Sequence, residues 1–71
     1  MASNSKPAPK YQQHYSPEGA YRAARAGAVE VELFGVSREV FKEWLEVFEI
    51  EYSSDGGVTF WVSRCTVFVQ C

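Results

Sequence analysis

Residues that hold metal ions or attack substrates are scarce in this sequence. It has one histidine, His14, and two cysteines, Cys65 and Cys71. With so few nitrogen and sulfur ligands, no group has the spacing of a metal site. His14 has no nucleophile at a defined distance, Cys65 has no base beside it in the sequence, and no glycine-rich loop opens a helix to hold phosphate. We therefore expect neither an enzyme nor a bound cofactor.

The two cysteines lie six residues apart in a stretch with the composition of a β-strand. Six steps along an extended strand span roughly 20 Å, whereas a disulfide needs Cα atoms within about 7 Å. The two thiols cannot pair within one straight strand. We expect both to be reduced and half-buried, and the alternative is an intermolecular disulfide through Cys71.

Long apolar runs are also missing. The longest is only a few residues, far below the ~18 needed to span a bilayer, and the first ten residues, MASNSKPAPK, lack the apolar core of a secretion signal. The 71 residues are 46% hydrophobic and 15% aromatic, as in one small globular domain. We expect a cytoplasmic protein without membrane contact.

The charges are unevenly distributed along the chain. Residues 1–26 contain four basic residues against one acidic residue, whereas residues 27–71 contain three basic residues against eight acidic ones. Prolines and polar residues in 1–15 are typical of a flexible basic arm. The single folded domain is then expected over residues 16–71, and it is acidic.

Local signals predict the elements of that domain. Ser16-Pro17-Glu18 is a strong helix start, and Gly27 can end the helix. Residues 28–34, AVEVELF, alternate between apolar and acidic residues and predict a strand. Residues 37–49 predict an amphipathic helix. Its apolar stripe, which we expect to be core, contains Val40, Phe41, Trp44, Leu45 and Phe48.

The C-terminal third predicts strands. SSDGG, residues 53–57, is a hairpin turn signal, and residues 58–71 have high β propensity. A break at Ser63-Arg64 indicates either a bulge or a turn between two strands. The predicted fold is α+β: β-α-β-β, with or without a further strand, in which the amphipathic helix packs on a small sheet after a short helix and the arm. Residues 65–71 are an uncharged edge candidate, so we expect either a homodimer through this strand or docking on another protein.

One resemblance is carried by YSPEGAYRAARAGA followed by ELFGVSREVFKEWLE. Residues 15–46 resemble the helix-turn-helix of phage small terminase subunits, with the turn and core positions occupied by Phe34, Gly35, Val36, Phe41 and Trp44. The resemblance implies a DNA-binding regulator or packaging protein. Its base-facing residues would be Arg38, Glu39 and Lys42. A winged helix-turn-helix is therefore the alternative fold.

The competing interpretation starts from charge. Four glutamates of the amphipathic helix form an acidic face that suits a basic protein surface or mimics nucleic acid, and Glu30, Glu32 and Glu51 can extend it. The aromatic residues of the arm can add anchors. The expected partner-binding residues are Glu39, Glu43, Glu46, Glu49, Tyr11 and Tyr15.

In size and charge the chain is similar to small phage-encoded inhibitors of host machinery, including inhibitors of nucleic-acid-guided defence (anti-CRISPR proteins). We therefore predict a noncatalytic inhibitor or regulator from a phage or mobile element. It would bind a host protein through the acidic face, and nucleic-acid-binding proteins are among the candidate partners. DNA binding by the helix-turn-helix is the alternative.

Overall fold

The computed structural model describes residues 9–70, which contain two helices and five strands. The mixed α+β class expected from the sequence is confirmed. The elements are β1 Tyr11–His14, α1 Pro17–Arg25, β2 Glu30–Phe34, α2 Arg38–Val47, β3 Ser53–Ser54, β4 Thr59–Val62 and β5 Cys65–Gln70.

The strands form one sheet in the order β1-β2-β5-β4-β3. β2 pairs in parallel with β1 on one side and with β5 on the other, and β5-β4-β3 is an antiparallel meander. The chain therefore crosses over twice in the same direction, from β1 through α1 to β2 and from β2 through α2 to β3. Crossovers of one hand and one direction place both helices on the same face of the sheet.

A single core lies between the helices and that face of the sheet. Alternate residues of β2, β4 and β5 point into it, and each helix contributes one side. No polar or charged residue of the described chain is buried there. The core residues are Ala20, Ala23, Ala24, Ala28, Val31, Leu33, Phe41, Leu45, Phe60, Val62, Cys65, Val67 and Val69.

Both helices begin where the sequence predicts. The Ser16 hydroxyl accepts a hydrogen bond from the Gly19 N–H at 3.1 Å, with Pro17 at the first helical position. The Ser37 hydroxyl accepts one from the Val40 N–H at 3.2 Å. Gly27 follows the end of α1 with φ 107°, a backbone conformation that favours glycine.

The predicted flexible arm is wrong for residues 11–14, which form the edge strand β1. The Lys10 carbonyl accepts hydrogen bonds from the Val29 and Glu30 N–H groups at 2.8 and 2.9 Å, and Tyr11 lies opposite Glu30 in the ladder. A central strand such as β2 has backbone N–H and C=O groups along both edges that need hydrogen-bond partners. Residues 11–14 supply the partners along one edge. Residues 1–8 of the predicted arm lie outside the described residues.

The winged helix-turn-helix alternative is also wrong. It requires two helices joined by a short turn, but β2 separates α1 from α2, and the segment expected to be its second helix is a strand paired on both sides. The alternation of Val31 and Leu33 with glutamates determines this result, because it fits a strand with one buried face.

Two expectations for the C-terminal stretch have different outcomes. Ser63-Arg64 is a turn between two strands, which was one of the two alternatives. The expected edge at residues 65–71 is wrong for residues 65–70, because β5 lies between β2 and β4 and both of its edges are hydrogen-bonded. A homodimer through an open edge of this strand is therefore excluded. Cys71 lies outside the described residues.

Candidate protein-binding surfaces

Potential metal ligands do not cluster in the described residues, and the free cysteine there, Cys65, is buried. No three potential metal ligands come together within residues 9–70. No helix there is both long enough and apolar enough to span a bilayer. The Cys65 thiol is buried in the core as a free cysteine. Burial and, to a smaller extent, the charge of Glu30 raise its pKa, so the reactive thiolate is disfavoured.

The apolar stripe of α2 is divided between core and surface, which corrects the expectation that all of it is core. Phe41 and Leu45 are fully buried, whereas Trp44 is only partly buried. Val40 is 53% exposed and Phe48 60% exposed. The stripe is wide because it contains two pairs of adjacent residues, and adjacent residues lie about 100° apart around a helix. The sheet covers only the part of the stripe around Phe41 and Leu45.

The uncovered part of the stripe forms one wall of a groove against α1. The Trp44 ring lies 4.8 Å from the Phe48 ring and 5.9 Å from the Tyr21 ring of α1, measured between centroids. Val40 and Val47 line an adjoining depression on α2 that shares the Trp44 and Phe48 rings, and Val47 is 68% exposed. We call this surface the helix groove; its residues are Tyr21, Val40, Trp44, Val47, Phe48 and Ile50.

Acidic residues border the helix groove. Glu43 lines it beside Val40 and Trp44, and Glu18 lies across it on α1, paired with Arg22 at 2.7 Å. The four glutamates expected to bind a partner are all exposed. Among the described residues the other ion pair is a long one, 3.8 Å between Arg38 and Glu39. Of the four predicted glutamates, Glu43 thus borders an apolar surface that the sequence pattern assigns to the core, and Glu49 lies at one end of it.

Two of these glutamates have defined surroundings. The Tyr52 hydroxyl donates a hydrogen bond to the Glu46 carboxylate at 2.8 Å, and this bond raises the pKa of Tyr52. Glu49 follows the end of α2 with φ 58°, in the left-handed region. It lies beside Ile50 and Tyr21 at one end of the helix groove.

A second surface is the face of the sheet that carries no helix. Side chains alternate along each strand, so the neighbours of the buried residues point to this face. We call it the open sheet face; its residues are Tyr11, Gln13, Glu30, Glu32, Phe34, Thr59, Trp61, Thr66 and Phe68. Of this set, the sequence predicts Tyr11 as an anchor and Glu30 and Glu32 as extensions of the acidic face. The alternation that marked the buried face of β2, β4 and β5 also contained the signal for the rest.

The two tyrosines expected to anchor a partner lie on this side of the sheet, Tyr11 within the open sheet face and Tyr15 beside it on Phe34. The Tyr11 hydroxyl donates a hydrogen bond to the Glu32 carboxylate, and this bond is the main reason that the pKa of Tyr11 is raised. Tyr15, 73% exposed, stacks on Phe34 with ring centroids 5.5 Å apart. The residues expected to bind a partner therefore lie on opposite sides of the sheet, the tyrosines on one side and the glutamates of α2 on the other, and Glu30 and Glu32 do not extend the acidic face of α2.

The residues of the DNA-binding alternative do not form a basic surface. The Arg38 Nε–H donates a hydrogen bond to the Gly57 carbonyl at 2.7 Å, and the guanidinium lies 5.6 Å from the centre of the Phe60 ring. This arginine anchors the start of α2 to the β3–β4 turn. Lys42 is exposed, but Glu39 and Glu43 are exposed on the same helix. One free lysine among acids neutralises few phosphates.

Comparisons with known proteins add no relative. No protein-family model matches the chain, and neither a search of curated proteins nor one of solved structures finds a match.

Proposed function

We propose that this chain is a noncatalytic protein-binding module whose helix groove binds an amphipathic, basic helix of a host protein. The observation that carries the proposal is the exposure of Val40, Val47 and Phe48 on a helix whose other exposed side chains are glutamates and one lysine. Contiguous apolar surface with a polar rim is typical of interaction sites in small domains.

The shape of the helix groove supports a helical partner. Two helices on one face of a sheet leave a groove between them, and amphipathic helices bind grooves of this kind through apolar residues at i, i+3, i+4 and i+7. Trp44, Tyr21 and Phe48 supply the aromatic residues that dominate binding energies at interfaces.

The charge of the rim supports a basic partner. Glu39, Glu43, Glu46 and Glu49 are exposed along α2 and its end, against Lys42 on the same helix. Such a rim attracts lysine- and arginine-rich surfaces and repels acidic ones. Binding a basic helix of a host protein would inhibit or regulate that protein. The phage or mobile-element origin stays a prediction from size and charge, and the cytoplasmic location stays a prediction from the lack of long apolar runs.

The test uses the two tryptophans as separate reporters, because Trp44 lies in the helix groove and Trp61 on the open sheet face. A variant with Trp61→Phe is titrated with a synthetic amphipathic helix of about 18 residues made of leucine and lysine, and with a matched peptide of leucine and glutamate. We expect a saturable change in Trp44 fluorescence with the lysine peptide alone.

Charge-reversed variants provide the matched control. Glu43→Lys with Glu46→Lys should retain the circular dichroism spectrum and weaken binding at least about tenfold, whereas Glu30→Lys with Glu32→Lys makes the same charge change on the opposite face and should retain binding. Equal binding of both peptides, or equal losses in both double variants, would refute a groove-specific site. Binding of a DNA duplex in place of the lysine peptide would support the DNA-binding alternative instead.

A further inference from the structure

The open sheet face combines aromatic rings with two carboxylates. In register across the strands, Glu30 lies between Tyr11 and Thr66, and Thr66 is opposite Trp61. One pleat further along, Glu32 lies opposite Phe68. Tyr11 is 48% exposed and Trp61 43% exposed, so the rings at both sides of this face are accessible.

Neither carboxylate has a cationic partner within 4 Å in the described part of the chain. Lys10 and Arg64 precede β1 and β5 at the Glu30 end of the face, and neither lies within 4 Å of a carboxylate of residues 9–70. Glu32 is held in place, because Tyr11 and Gln13 both donate hydrogen bonds to its Oε1 atom, the second at 3.4 Å. Its Oε2 atom accepts no hydrogen bond from residues 9–70.

This charge distribution argues against two other occupants. A second copy placed face to face would bring four glutamates into one desolvated interface without cations to neutralise them, which is costly. A nucleic acid could stack its bases on Phe68 and Trp61, but its phosphates would be repelled by Glu30 and Glu32. A cationic peptide satisfies both features, because guanidinium groups bind carboxylates through paired hydrogen bonds and stack on aromatic rings.

We infer that the open sheet face is a second binding site, which takes an extended, arginine-containing peptide segment. Glu30 and the oriented Glu32 accept hydrogen bonds from guanidinium groups, and the rings of Tyr11, Trp61 and Phe68 cover their flat faces. The site is independent of the helix groove, since it lies on the other side of the sheet. The protein can then hold two basic segments at once, from one partner or from two.

The experiment uses the full chain with Trp44→Phe, so that fluorescence reports Trp61. It is titrated with a peptide of about nine alternating threonine and arginine residues, a length that spans the sheet at about 4.8 Å per strand. The matched peptide carries glutamate in place of arginine, and a single-stranded oligothymidylate of similar length tests for nucleic acid. We expect saturable binding of the arginine peptide alone, weakened by added salt.

Variants then locate the site. Glu30→Gln with Glu32→Gln should weaken binding of the arginine peptide at least about tenfold, and Glu43→Gln with Glu46→Gln should leave it unchanged. Because all four residues are at the surface or partly exposed, the fold should survive, and circular dichroism verifies this. Any one of four results would overturn the inference: no response of Trp61, an equal loss of binding in both double variants, preferential binding of the oligonucleotide, or a dimer in sedimentation that explains the Trp61 signal. If the arginine peptide binds and the leucine–lysine helix does not, the proposed function of the helix groove would be refuted and the site on the open sheet face would stand.

Discussion

The rings of Phe41 and Phe60 meet edge to face, with centroids 5.1 Å apart and planes at 85°. Phe41 belongs to α2 and Phe60 to β4, and both side chains are fully buried. This pair attaches the second helix to the half of the sheet made by the antiparallel meander. The same helix presents its exposed groove residues to solvent, so the pair also holds the proposed binding surface in place.

The first prediction concerns this pair. Phe41→Ala should lower the free energy of unfolding by about 3–5 kcal/mol, because it removes a buried ring and leaves a cavity. A small domain has only about 5–15 kcal/mol in total, so this variant should be largely unfolded at moderate urea concentrations. Val47→Ala, one turn and a half along the same helix but 68% exposed, should change stability by less than about 0.5 kcal/mol. Equal urea midpoints for the two variants would contradict the observed packing.

The second prediction concerns the turn between β4 and β5. Ser63 and Arg64 have φ angles of 53° and 67°, so two residues with side chains occupy the left-handed region. A two-residue hairpin of this geometry favours Asn-Gly, and left-handed backbone costs roughly 1–2 kcal/mol for most residues. Replacing the pair by Asn-Gly should therefore raise the free energy of unfolding by at least about 1 kcal/mol.

Chemical denaturation measures this change in the free energy of unfolding. The slope of that free energy against denaturant concentration should be the same in wild type and variant, because unfolding exposes the same surface. Gly56→Ala is the matched control, for which we expect a lower free energy of unfolding. Gly56 has φ 87° with open space around it, so an added methyl group meets no neighbour and the backbone strain alone should destabilise the protein. A neutral result for Asn-Gly would mean that the hairpin relaxes in solution.

Helix starts in this chain are set by neighbouring residues, whereas the order of its strands is set by segments that are distant in the sequence. Ser16 and Ser37 were recognised as helix starts because a cap depends on a few neighbouring residues. The position of β5 in the middle of the sheet was missed, since strand order depends on pairing between distant segments. Residues 11–14 were missed for the same reason: YQQH has little strand character until β2 provides an edge for it.

The candidate surfaces show a similar limit. The amphipathic pattern of α2 marked Val40 and Phe48 as apolar, but the pattern alone cannot show how much of a wide stripe the sheet covers. The glutamates Glu43 and Glu46 were correctly placed at the surface. That Glu32 lies on the opposite side of the molecule from them follows only from both helices being on one face.

The third prediction concerns the ionisation of Tyr11. Its hydrogen bond to Glu32 and the nearby negative charges raise its pKa above the usual value of about 10. Because the folded-state pKa is raised, the stabilising contribution is fully present below the unfolded pKa and is lost as the pH rises through the folded pKa. The absorbance of tyrosinate, taken as the difference between wild type and Tyr11→Phe, should therefore appear at a higher pH than in free tyrosine.

Glu32→Gln provides the control for this titration, because it removes the carboxylate charge and keeps the size of the side chain. The pKa of Tyr11 should move down toward the usual value in this variant. Glu46→Gln should leave Tyr11 unchanged and lower the pKa of Tyr52, which donates its hydrogen bond to Glu46. If Tyr11 titrated identically with and without the Glu32 carboxylate, the hydrogen bond between them would not persist in solution.

The last prediction divides binding at the helix groove into its apolar and charged parts. Phe48, at 60% exposure, can be changed to serine with little loss of core packing. This variant should bind the leucine–lysine helix more weakly at every salt concentration, because the burial of apolar surface is not screened by ions. Glu43→Gln with Glu46→Gln should bind more weakly at low salt but approach wild-type affinity near 1 M salt, where the screening length is about 3 Å. Titrations of Trp44 fluorescence at several salt concentrations measure both curves. Parallel salt dependences for the wild type and the glutamine variant would show that these two carboxylates do not face the bound helix, and an unaltered affinity of Phe48→Ser would place the contact elsewhere on α2.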